Sequence, residues 1–280
     1  SLLLLAMMCI ALPGAADTTA PEDALATVLA ARSEDDRSRD VFRHPAATLA
    51  FFRVAPGMTV AEGLPGGGWY TRILAGYLGG EGTLYGVNYA DRMLSMFSFA
   101  TPEWVEKRKA STALFPEQVA GYTDNGISAR GFTFETVPAD VSGTVDRVLL
   151  IRALHNLNRF EAKAQTRSRA LAAIHHMLAD GGLVGVVQHR APESAPDDRA
   201  DGSRGYLKQT AVIRMFEEAG FQLVAQSEIN ANPKDQPGEN AIVWRLPPSL
   251  RGTEEGTPER EAVLAIGESD RMTLLFRKAE

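Results

Sequence analysis

Residues 59–71, Thr-Val-Ala-Glu-Gly-Leu-Pro-Gly-Gly-Gly-Trp-Tyr-Thr, restrict this chain more than any other stretch. A short apolar run at 58–63 carries an acid, Glu62, next to its end. Gly66, Gly67 and Gly68 follow, and from Tyr70 the pattern is that of an apolar helix closed by Gly79-Gly80. Glycines reach positive φ and let a ligand touch the backbone. A helix start offers free N–H groups to an anion, such as the carboxylate of an amino-acid moiety. A ligand held by such a turn sits at the carboxyl edge of a sheet.

The same unit repeats along the chain. Strands are predicted at 58–63, 83–88, 132–137, 145–152, 183–188, 221–228 and 272–277, and helices at 70–78, 91–97, 102–110, 162–178 and 209–219. The stretch 145–152 carries an unbroken apolar run at 148–151, which suits a strand buried on both faces. Strands alternating with helices predict a mostly parallel, doubly wound α/β sheet with helices on both faces. A Pro/Gly-rich segment at 230–270 interrupts this order, and its apolar stretch at 241–246 is a candidate extra strand.

The remaining N-terminal residues divide in two. Residues 2–12 are almost wholly apolar and are followed by Pro-Gly-Ala-Ala, the pattern of a secretory signal with cleavage after Ala16. The expectation is an exported, periplasmic protein from a sequence clipped at its start, since the basic leader and initiator Met are missing. The run is too short to span a bilayer comfortably, so no stable membrane span is expected once the signal is removed. The only cysteine, Cys9, lies in this run, so a mature chain has neither a disulfide framework nor thiol chemistry. Residues 17–57 read as a linker with short helices and 58–280 as the main domain. With 280 residues and 45% hydrophobic content the chain can bury one large core. The net charge of -6 and the lack of a long Lys/Arg run argue against a nucleic-acid partner.

An acid followed by alternating glycines resembles the first motif of class I S-adenosylmethionine-dependent methyltransferases. More narrowly, PGGGWYT at 65–71, RHP at 43–45 and ESDRMTLLF at 268–276 resemble a group of predicted exported, periplasmic methyltransferase-like proteins. The resemblance implies a Rossmann-like sheet of seven strands with an antiparallel last strand. It also implies S-adenosylmethionine as cofactor and a small molecule as methyl acceptor. Carried over by position, it puts Glu62, Gly63, Gly66, Gly67, Gly68 and Tyr70 around the cofactor, Asn88 at the ribose and Asp140 at the adenine. Two positions depart from the pattern. Leu64 stands where a glycine is usual, and Asn88 replaces an acid, so one acceptor atom replaces two; Asp91 is a possible substitute. A nicotinamide-binding turn fits less well, since its third glycine would fall at Thr71.

His155, just past the fourth strand, and His189, just past the fifth, are the candidate catalytic groups. His155 is placed to act as a general base or to orient the acceptor. His44 is a candidate lid residue, and three histidines meeting would make a metal site, although no metal ligand is assigned. His175 and His176 lie mid-helix and read as surface or packing residues. Trp69, Tyr70, Tyr89 and Trp244 are candidate walls of an apolar pocket. Two alternatives use the same scaffold: an exported, non-catalytic small-ligand binder, or a metal-assisted hydrolase or lyase using His155 and His189.

Overall fold

The computed structural model describes residues 20–279. The apolar run read as an export signal, and Cys9 within it, lie outside them. Strands β1 (Thr59–Gly63), β2 (Thr83–Asn88), β3 (Ser128–Thr133), β4 (Val145–Ile151), β5 (Leu178–Ala191), β6 (Leu207–Lys208), β7 (Phe221–Ser227) and β8 (Arg271–Lys278) form one sheet. Its order is β3-β2-β1-β4-β5-β8-β7, with the short β6 on the end of β5. The neighbours from β3 through β5 pair in parallel, and β8 runs antiparallel to both β5 and β7. This is the expected doubly wound, Rossmann-like methyltransferase fold. The chain reverses its direction of travel across the sheet between β1 and β4, where a crevice opens beyond the strand ends.

Alternation along the central strands feeds two cores. Val60 and Leu149 face one side, with Phe52, Ile73 and Leu74. Ala61, Val148 and Leu150 face the other, with Ile174, Phe216 and Phe276. The helix Trp69–Leu78 buries eight of its ten residues against the first side. That depth of burial fixes its N-terminus, and with it the glycine turn, over the ends of β1 and β4.

Three expectations need correction. The third strand lies at Ser128–Thr133, not 132–137. Residues 134–136 turn instead, tied by Thr136 N–H to the Thr133 carbonyl and by Thr133 N–H to the Thr136 hydroxyl. This strand is at the sheet edge and only half buried, so Ser128 and Arg130 weaken its apolar signature. The helix expected at 162–178 is broken by Gln165, which is left-handed (φ 53°), into Glu161–Ala164 and Thr166–Met177. Residues 241–246 form no strand. Val243–Arg245 is a 3₁₀ turn, and the Val243 N–H bonds the Arg204 carbonyl of a loop.

Candidate active site

Two adjoining cavities occupy the carboxyl edge of the sheet. The larger, about 440 Å³, runs from the β1 turn across β4 to the ends of β5 and β8, and its size is that of a small-molecule site. The smaller, about 190 Å³, lies over the end of β2. Leu64, Gly66 and Asn156 line both, so the two form one elongated crevice. Leu64 and Trp69 line this crevice without filling it.

Glu62, Gly63, Gly66, Gly67 and Tyr70 all line the larger cavity. The Glu62 carboxylate is buried and accepts a hydrogen bond from the Thr71 hydroxyl at 2.7 Å. Burial pushes its pKa up to about 7, against the smaller opposing effects of Thr71 and Arg72. Among the described residues it forms no ion pair, because Arg72 is bound to Asp36 by two hydrogen bonds of 2.6 and 2.7 Å. Gly66 needs its positive φ of 60°. A Cβ on Gly67, by contrast, would meet no protein atom within 4 Å. Gly67 thus leaves bare backbone beside open space, as a ligand cradle does. Gly68 lies outside the lining; a Cβ there would approach the Tyr122 hydroxyl to 2.6 Å. Leu64 adopts φ 57°, the left-handed conformation in which glycine is favoured.

Asn88 lines the smaller cavity, together with Tyr89, Phe97, Phe99 and Trp104. Its side-chain N–H₂ donates to the Thr112 hydroxyl at 3.0 Å, which leaves its carbonyl oxygen for a ligand. Asp140 does not belong to the site. It is 71% exposed, pairs with Arg130 at 2.7 Å and lines neither cavity. Arg130, on the edge strand β3, holds it in this exposed ion pair. Asp91 likewise lines neither cavity.

His155 and His189 do meet, with ring centroids 5.5 Å apart. The His155 Nδ1 lies 3.3 Å from the Gln188 side-chain oxygen, and the His189 Nδ1 lies 2.6 Å from the Ser269 hydroxyl. Burial lowers the His155 pKa to about 4, against the opposing Gln188 contact, and nearby arginines lower it further. His189 is also held well below the usual value, by burial first and then by His155 and Arg271. Both imidazoles are therefore neutral at physiological pH. His44 is exposed and lies outside the cavity, at a left-handed link between two short helices. Among the described residues, no group of three His, Cys, Asp or Glu could hold a metal ion. Trp69, Tyr70 and Trp244 line the larger cavity as expected.

An arginine wall closes the far end and was not anticipated as a functional feature. Glu268 accepts from Arg39 (2.5 Å), Arg43 (3.1 Å) and Arg271 (2.8 Å). Burial raises its pKa, but the charges of Arg271, Arg43, Arg39 and Arg152 outweigh this and hold it down at about 2. The sequence offered only a resemblance, not the wall itself. RHP, ESDR and the glycine run, which carry the family resemblance, are distant along the chain yet converge on this cavity.

No protein-family model matches the sequence, and neither does any curated protein. Among solved structures the chain is similar to the [4+2]-cyclase SpnF at 14% identity, covering 85% of this chain and 81% of that one, with a TM-score of 0.53. A SAM-dependent methyltransferase from Aquifex aeolicus matches at 15% identity over 74% of this chain and 93% of that one, TM-score 0.47. The 1,6-didemethyltoxoflavin-N1-methyltransferase of Burkholderia thailandensis, solved with S-adenosylhomocysteine, matches at 14% identity over 96% and 94%, TM-score 0.45. At such identities the likeness is one of fold, and a shared fold does not by itself assign an activity.

Proposed function

We propose that the protein is an S-adenosylmethionine-dependent methyltransferase acting on a small molecule. The observation that carries this reading is the Glu62 carboxylate, buried at the end of β1 with a hydroxyl partner but no cation, beside a glycine turn whose open side faces a ligand-sized crevice. An ammonium group is what that carboxylate lacks. The helix behind the turn has no side-chain cap, so its first N–H groups suit a carboxylate. Together they fit the amino-acid end of the cofactor. The Asn88 oxygen fits one ribose hydroxyl, and the aromatic walls of the smaller cavity fit a purine. Asn156 Oδ1, at the junction, is a buried acceptor with no donor among the described residues, which fits a ligand N–H or O–H.

S-adenosylmethionine supplies an electrophilic methyl group on a sulfonium. The chain's part is to orient an acceptor against it and exclude water. Neutral His155 and His189 each present a ring nitrogen able to accept a proton. Trp244, Leu246, Pro247 and Pro248, from the irregular segment, wall the cavity against solvent. We extend the proposal to an exported, periplasmic location, supported by the apolar run at 2–12 and the small residues after it. No helix among the described residues is long and apolar enough to cross a membrane. Cell fractionation tests the location.

Calorimetry with S-adenosylmethionine and S-adenosylhomocysteine tests the activity reading. One-to-one binding that is abolished by Glu62→Ala supports it. Failure of both compounds to bind the folded wild-type protein refutes it.

A further inference from the structure

The far wall of the larger cavity carries more positive charge than its own residues neutralise. Arg39, Arg43 and Arg152 line it and Arg271 lies close behind, while Glu268 is the carboxylate that Arg39, Arg43 and Arg271 share. Of the other nearby acids, Asp36 is committed to Arg72 and Asp40 to Arg32, and Glu62 sits at the β1 turn with the Thr71 hydroxyl. Two donors remain unused. Arg43 is 2% exposed, and its Nη1 is buried with no hydrogen-bond partner. The Arg152 guanidinium has no hydrogen-bond partner among the described residues. Arg152 also occupies a left-handed backbone position, φ 59°, at the turn after β4. Burial, and then the charges of Arg43 and Arg271, depress its pKa to about 9. An arginine half-buried in the cavity wall, repelled by its neighbours and on unfavourable backbone is poorly placed for stability alone. An incoming anion removes the conflict, and arginine is suited to planar or tetrahedral oxyanions.

We infer that Arg152 and Arg43, beside His155 and His189, form a binding site for an oxyanion, a carboxylate or phosphate group, carried by the methyl acceptor. The oxyanion site stands on the arginine geometry; its assignment to the acceptor rests on the methyl-transfer reading. Position favours the acceptor over the cofactor's own carboxylate. Glu62 and the glycine turn lie at the end of β1, whereas Arg152 and His155 follow β4, His189 lies at the end of β5 and Glu268 just before β8. With strands about 4.8 Å apart, β5 is roughly 10 Å from β1. The histidines lie on the β4 and β5 side, so an acid group held by Arg152 sets the rest of the acceptor between them and the glycine turn.

The test titrates the full protein with inorganic phosphate and, separately, with succinate, at ionic strength matched with sodium chloride. Calorimetry and thermal unfolding are the readouts. Saturable binding with a rise in Tm is expected for at least one of the two, and the better ligand identifies the acid group. Arg152→Met should weaken it about ten- to a hundredfold, with its ligand-free Tm equal to or above wild type because a repelled charge has gone. Arg152→Lys should fall between. No saturable binding of either anion, or binding unchanged in Arg152→Met, overturns the site. Repeating the titration with saturating S-adenosylhomocysteine separates the two assignments. Simultaneous binding supports the acceptor. Mutual exclusion gives the arginines to the cofactor's carboxylate and overturns that part. Arg152-dependent anion binding in a protein that ignores S-adenosylhomocysteine upholds the oxyanion site and refutes the methyltransferase reading.

Discussion

Replacing Glu62 by Gln is expected to stabilise the ligand-free protein at about pH 8 and to leave it nearly unchanged near pH 4.5. The carboxyl is raised from an ordinary 4.5 to about 7, mainly by burial. Below the unfolded value it is protonated in both states, and its contribution to stability is complete. As pH rises, the unfolded chain ionises first, and the contribution is lost by the time pH passes the folded value. The difference corresponds to about 3 kcal/mol, at 1.36 kcal/mol per tenfold change in the acid constant. Gln keeps the shape and an oxygen to accept from Thr71 (2.7 Å in the wild type), so no cavity opens. His155 titrates with the opposite sign: its folded value is depressed to about 4, so its contribution is present above 6.5 and lost as pH falls through the folded value. That effect is common to wild type and variant and cancels in their difference. Urea unfolding followed by tryptophan fluorescence, from about pH 4.5 to about pH 8, measures the gap. It should widen from near zero to about 3 kcal/mol in favour of Gln. A gap that does not vary with pH would refute the reasoning. The same variant should bind S-adenosylmethionine more weakly, so stability and binding move in opposite directions.

Leu64→Gly should be more stable than Leu64→Ala by about 1 kcal/mol, although it is smaller, because both lose the packing but only glycine sheds the strain of φ 57°; chemical denaturation that ranks Ala at or above Gly would contradict this. Glu268→Gln should destabilise the fold by about 3–5 kcal/mol, since it leaves two buried guanidiniums, Arg43 and Arg271, and the partly exposed Arg39 without their countercharge. Because the Glu268 carboxyl is held down at about 2, the stability it contributes is present above 4.5 and lost as pH falls toward 2. Acid-unfolding curves of wild type and variant should therefore converge at the acid end; a constant offset would show that the ion cluster is not its source.

The sheet was legible because each central strand carries its own record. β1 and β4 are central, so each carries an apolar run, Val60–Ala61 and Val148 to Ile151, and the turn from Glu62 to Tyr70 has too many glycines to be helix or strand. β3 was misplaced because an edge strand is only half covered and has no reason to be apolar throughout. Glu62, Gly66, Gly67 and Asn88 line the crevice because short-range chain geometry puts them at strand ends. Asp140 does not, because it is held in an exposed ion pair with Arg130 that its own segment does not reveal.

What the sequence determined by itself is thus local: strand, turn and helix follow from burial periodicity and backbone freedom within a dozen residues. Tertiary structure alone decided the charge of the cavity. Arg43, Arg152, Glu268 and Arg271 come from segments up to 228 residues apart in number, and nothing in any of them reveals a shared wall. Electrostatic energy depends on separation in space and on exclusion of water, and both quantities exist only after β4, β5 and β8 have been laid side by side.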